Sequence, residues 1–209
     1  AGDALTDADH NVAVGIGALT SDTLGSRSTA IGAGALTFQN FTSATTSYNT
    51  AVGYDAGNAV TTGTNNTLIG GLAGDALTTG NTNVAVGASS LSSEIQGDRN
   101  VALGYAALEQ QSNSNDVDVY NTAVGYAAGN AVTTGVQNTF VGANCGDGTD
   151  DGSSNTAVGF LALSVNAGDD NCAFGINALN ACTGSANVAF GNNASLNVSS
   201  GLNNIGIGL

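Results

Sequence analysis

Asn49-Thr50-Ala51-Val52-Gly53 returns seventeen residues later as Asn66-Thr67-Leu68-Ile69-Gly70, with a small-residue half, Tyr54 to Asn65, between the two copies. The glycine that ends each copy serves as an anchor. Anchors fall at Gly15, Gly32, Gly53, Gly70, Gly87, Gly104, Gly125, Gly142, Gly159, Gly175, Gly191 and Gly208. Most steps are 17 residues; two are 21 and two are 16. Twelve copies of a short motif in 209 residues are the mark of a stacked repeat architecture. The motif alternates small polar, β-branched, small, β-branched and small residues, which is a strand signal. A glycine every few residues costs about 1 kcal/mol each inside a helix, and no 3.6-residue apolar stripe appears. The reading is all-β: a β-solenoid or parallel β-roll of about twelve 17-residue coils. Each coil is expected to hold one strand of four or five residues and a second short strand near its Ala-Leu pair.

The columns of this stack carry the argument further. Four residues before the anchor, Asn recurs in eleven of twelve coils, with Ser28 as the exception. Asn49, Asn66, Asn83, Asn100, Asn121, Asn138 and Asn155 are expected to form a ladder of side-chain amides between coils about 4.8 Å apart, and to help close their own turns. Two before the anchor, Ala appears in nine coils, with Leu68, Phe140 and Gly206 departing. Seven before it stand Gly63, Gly80, Gly135 and others, which fit a turn at positive φ.

The two long steps are four-residue insertions, one within residues 38–48 and one within 110–120. They lie 72 residues apart, and Tyr48 to Gly63 differs from Tyr120 to Gly135 at one position. A four-coil superrepeat therefore sits above the 17-residue one. Inserted loops on a solenoid commonly carry contacts, so these two are the expected receptor or glycan surface. No linker interrupts residues 1–209, and both ends cut through a coil, so the chain reads as one repetitive segment of a longer array.

Composition excludes several functions. The net charge is −14, and Arg27 and Arg99 are the only basic residues besides His10, so no basic patch exists for nucleic acid. Apolar runs are too short to span a bilayer, and no membrane insertion is expected. His10 stands alone, and Gly15-Ile16-Gly17 lacks the lysine and helix of a phosphate loop, so no enzyme is expected. Cys145, Cys172 and Cys182 each replace a small apolar residue; a Cys172–Cys182 bridge is the alternative. Asp147, Asp150 and Asp151 precede one strand, and Asp169 and Asp170 fall at nearly the same place in the next coil. They form either a solvated acidic turn or, with turn carbonyls, a calcium site, calcium being the one cofactor entertained. Thr61-Thr62, Thr78-Thr79 and Thr133-Thr134 suggest an ice-binding face, but Asp22-Thr23 and Asn180-Ala181 break the column. Tyr54, Tyr105, Tyr126 and Phe160 recur one after the anchor, as a sugar-stacking stripe or a cover for the turn.

The run N-[TV]-A-[VIL]-G-x-x-A-[LG], with T-T-G-x-x-N-T, resembles repeats in the fibre proteins of tailed bacteriophages, especially fibres that end in an endosialidase-type intramolecular chaperone. Asn121-Thr122-Ala123-Val124-Gly125-Tyr126-Ala127-Ala128 is among the closest matches. It is similar, less closely, to head repeats of trimeric autotransporter adhesins. The resemblance implies a parallel homotrimer in an extracellular or virion-surface fibre that gives reach and host-surface attachment. A bacterial surface adhesin or matrix filament is the alternative, and a calcium- or ice-binding solenoid the third. Independently, coils this poor in large side chains have little to offset chain entropy, which also favours self-association, laterally or end to end as a filament.

Overall fold

The computed structural model describes residues 1–195 and 198–208. They form two compact units: Ala1–Asn100 with Ser112–Asp118, and Val101–Gln111 with Val119–Leu209. All regular structure is β, and no helix occurs among the described residues.

The first unit contains β1 (Val12–Val14), β2 (Gly25–Ser26), β3 (Thr29–Ile31), β4 (Thr45–Thr46), β5 (Thr50–Val52), β6 (Thr67–Ile69) and β7 (Val84–Val86). Strands β1, β3, β5, β6 and β7 pair in that order, all parallel and in register, so Val14, Ile31, Val52, Ile69 and Val86 stand in one column. Strands β2 and β4 make a separate parallel pair. The second unit contains β8 (Val101–Leu103), β9 (Thr122–Val124), β10 (Thr139–Val141), β11 (Thr156–Val158), β12 (Cys172–Phe174), β13 (Val188–Phe190) and β14 (Ile205–Ile207). These pair in chain order, again parallel and in register. Each unit is a parallel β-solenoid at the repeat spacing read from the sequence.

Two expectations about the coil need correction. The main strand is three residues long, and there is no second strand at the Ala-Leu pair. Leu19, Leu36, Leu91, Leu108, Leu163 and Leu179 instead adopt the left-handed conformation, with φ between 49° and 53°. An L-residue there costs about 1–2 kcal/mol. The turn offsets this cost in two ways. The leucines are fully buried, and five of the six donate their N–H to the next coil, as Leu36 does to the Ala56 carbonyl at 3.1 Å and Leu108 to that of Ala128 at 3.0 Å. The glycines seven before the anchor were expected at positive φ, and they are not there. A Cβ on Gly63 would lie 2.4 Å from the Gly80 carbonyl oxygen, so that column is glycine for close stacking of main chains. The anchors do need positive φ: Gly53 has φ of +142°.

The core is a stack of thin layers. Ala30, Ala51, Ala85 and their equivalents fill one column, and Ala18, Ala35 and Ala56 a second. Leu68 and Phe140 break the alanine column for a packing reason. In the coils beside them the turn leucine is replaced by glycine: Gly57 and Gly74 around Leu68, Gly129 and Gly146 around Phe140. A Cβ on Gly57 would meet Leu68 at 2.6 Å, and one on Gly146 would meet Phe140 at 2.4 Å. One large side chain thus fills the space that two glycines vacate, in each unit.

Candidate functional site

The asparagine column joins consecutive coils through the main chain. In the first unit Asn49 Oδ1 accepts the Asn66 N–H at 2.9 Å, Asn66 Oδ1 that of Asn83, and Asn83 Oδ1 that of Asn100. The Nδ2 groups of Asn49, Asn66 and Asn83 donate to the carbonyls of Gly63, Gly80 and Gly97 in the next coil at 2.7–2.9 Å. In the second unit Asn121, Asn138 and Asn155 accept from the following asparagine N–H in the same way. The contact expected between side-chain amides is made at Asn100, Asn187 and Asn204, but side chain to main chain is the rule. One of the two 16-residue steps breaks the pattern, while across the other Asn171 Nδ2 keeps its bond to the Gly184 carbonyl at 2.9 Å. Where the step shortens after Gly159, Asn171 takes the Gly168 carbonyl at 3.1 Å, and the buried Asn155 Nδ2 has no partner.

A second ladder runs two residues earlier and was not anticipated from the sequence. There the side chain of the later coil accepts the N–H of the earlier one: Asp9 to Ser26 Oγ, Thr64 to Asn81 Oδ1, Ser153 to Asp169 Oδ1, at 2.8–2.9 Å. The signal lay in the recurrence of Ser, Thr, Asn and Asp six before the anchor, a column that alternation rules pass over.

These ladders account for part of the acidic cluster. The register sets Asp169 opposite Ser153 and Asp150 opposite Asn166, three columns apart rather than at one place. Asp150 accepts from the Thr133 hydroxyl, Asp151 is exposed, and Asp170 occupies a left-handed position with φ of 61°. Asp147 Oδ2 accepts from Asn144 Nδ2 at 3.0 Å, its Oδ1 is unpartnered, and burial pushes its carboxyl above the usual range. Asp75, its equivalent one superrepeat earlier, has the same unpartnered oxygen and the same upward shift from burial. No group of three potential ligands gathers among the described residues. All three cysteines are free thiols. Cys145 sits in the alanine column, donates to the Ala157 carbonyl at 3.1 Å, and is pushed up to about 12 by burial.

The two insertions are built on buried polar side chains that the sequence reading also passed over. Seven after the anchor, Val60, Leu77, Val132 and Cys182 are buried apolar residues. Beside the insertions the column reads Asp22 and Gln39, then Glu94 and Gln111, all fully buried. Asp22 accepts the N–H groups of Gly25 and Phe41 at 3.0 and 3.3 Å and the Gln39 amide at 2.6 Å. Gln39 Oε1 in turn receives Asn49 Nδ2 at 2.8 Å. Glu94 Oε1 accepts the N–H groups of Ile95, Gln96, Gly97 and Asn113 at 2.8–3.1 Å, and Gln111 Oε1 receives Asn121 Nδ2 at 2.8 Å. The extra main chain of each loop must satisfy its N–H groups, and a buried carboxylate can accept several at once. Main-chain groups of each loop are therefore held at defined atoms.

The outer face of the strands is different in kind. Residues one and three before each anchor point outward and carry only Val, Ile, Leu, Phe, Thr and Cys, with no charge. Val14, Ile31, Ile69, Val141, Phe174 and Val188 are exposed there. Beside them stand Tyr54, Tyr105, Tyr126 and Phe160, also exposed; the Tyr105 and Tyr126 rings stack at 5.5 Å. No described helix is long and apolar enough to cross a membrane. No family model, curated protein or solved structure matches the chain.

Proposed function

We propose that this chain is a structural segment of an extracellular fibre, a bacteriophage tail fibre in the reading its repeats suggest. Parallel copies pack side by side as a homotrimer, and the two insertions face outward for attachment to a host-surface receptor or glycan. The observation that carries the proposal is the charge-free outer strand face on a chain of net charge −14. Two copies can meet there without bringing carboxylates together. An exposed face rich in Val, Ile and Phe supports reading it as an interaction site. The alanine core offers each coil little apolar area of its own, so covering this face adds burial that the single chain lacks. The repeat also supplies the mechanical part: within each unit consecutive coils are bonded through strand, turn and the asparagine ladder, and many through the second ladder as well.

A paired substitution tests the packing surface. Val124→Glu with Val158→Glu places two carboxylates on the outer face of β9 and β11. The expected result is dissociation to single chains in sedimentation velocity with an unchanged circular-dichroism spectrum. Retention of the assembled mass by the double variant would place the contacts elsewhere and remove the basis of the proposal.

A further inference from the structure

Arg27 and Arg99 occupy the same position of the superrepeat, 72 residues apart, and only one of them has a carboxylate partner of its own. Arg99 pairs with Asp118, which forms a parallel bridge with Asp98. At the first insertion the equivalents of Asp98 and Asp118 are Ser26 and Thr46, on the paired strands β2 and β4. Arg27 Nη1 donates to Thr46 Oγ1 at 3.1 Å, and its guanidinium lies 5.8 Å from the centre of the Tyr48 ring. Among the described residues no carboxylate pairs with Arg27. Its side chain lines a surface cleft of about 200 Å³ with Asp9, His10, Ser26, Thr45 and Thr46.

From this we infer that the cleft beside Arg27 binds a carboxylate supplied from outside, on a sugar ring of the uronic-acid class. The inference rests on the attachment part of the fibre reading. The second insertion shows what the first lacks: there the chain's own Asp118 meets the arginine. The groups around Arg27 are arranged to donate. Ser26 Oγ accepts the Asp9 N–H and Thr46 Oγ1 accepts from Arg27, so both hydroxyls keep a proton to donate, and an arginine fork suits a carboxylate. Asp9 and the negative chain disfavour a dianion, which selects a single carboxylate over a phosphate. Pockets for drug-sized ligands run to roughly 300–1,000 Å³, so this cleft takes about one ring. The hydroxyls and Asp9 can bond ring hydroxyls, and the ring of the exposed Tyr48 lies beside the Arg27 guanidinium. These features favour a sugar over an acidic peptide.

The test is isothermal titration of the full chain with sodium glucuronate, glucose, sodium phosphate and an acetylated glutamate tripeptide. Glucuronate is expected to saturate one site per chain at millimolar concentration, with glucose and phosphate silent. Arg27→Gln and Thr46→Asp should each weaken binding roughly tenfold or more, the second by giving Arg27 the partner that Arg99 has. Thr46 is exposed, so T46D should melt like the parent protein, and Arg99→Gln should leave binding unchanged. Absent saturation, binding indifferent to R27Q and T46D, or tighter binding of the tripeptide would each overturn the inference. None of these would alter the assembled mass, so the fibre reading stands or falls separately.

Discussion

Arg27 rests against the neutral hydroxyl of Thr46, whereas its counterpart Arg99 meets the carboxylate of Asp118. Beneath these different rims the two insertions share one plan. A buried acid, Asp22 or Glu94, gathers loop N–H groups, and a buried glutamine, Gln39 or Gln111, receives the Nδ2 of the next column asparagine. The lesson is a division of labour. Buried polar atoms must be matched one by one, so the frame is the same in both places. Rim residues are solvated and free to differ, and that is where the two insertions take on separate chemistry.

The comparison can be broken first at the core it shares. Phe140→Ala should cost about 3–5 kcal/mol and Leu68→Ala about 2–5 kcal/mol, since each leaves a cavity between two glycines. Denaturant melts would show this, and a negligible effect at either site would mean that the two superrepeats are not packed alike. Next come the glutamines. Gln39→Leu and Gln111→Leu each remove one of the two recorded acceptors of a buried asparagine Nδ2, and each should lose about 1–3 kcal/mol. Unequal losses would show that one frame has a substitute partner. At the rim, Arg99→Gln removes an exposed ion pair worth about 0–1 kcal/mol, and Arg27→Gln removes none. Near-identical melting of these two variants would confine their difference to ligand binding.

The smallest effect concerns Asp75 and Asp147. Burial raises both carboxyls above their ordinary values, so the folded state holds protons that the unfolded state releases. Each therefore lowers stability as pH rises from the usual carboxylate range through the raised value, and the loss persists at neutral pH. Asp75→Asn and Asp147→Asn should raise Tm at pH 7 by no more than about 2–4 °C, the equivalent of under about 1 kcal/mol once solvent screening is allowed for. The gain should vanish in acid. A lowered Tm at pH 7 would show that the unpartnered oxygens are bonded in solution.

How much of this was legible in the sequence depends on the kind of residue. The period, the parallel stack and the asparagine column could be read because Asn, Ala and Gly recur at fixed offsets. The turn could not. Left-handed backbone is usually signalled by Gly or Asn, but here Leu36, Arg27 and Arg99 adopt it with φ of 49–62°, held by main-chain bonds to neighbouring coils that have no local signature. The glycines that were expected to supply positive φ serve close approach instead. Of the candidate site, the insertions were located by counting, but Asp22, Gln39, Glu94 and Gln111 were missed. Polar residues in a mixed column look like surface until their partners are in place. The five aspartates looked adjacent because the 16-residue step hid a three-column offset.

The central claim is lateral association through the outer strand face, and the mass of the isolated chain in solution tests it most directly. Light scattering coupled to size exclusion should give about three times the 20.2 kDa of one chain. A mass of one chain, stable across concentration, would contradict the account and leave a solenoid that needs no partner.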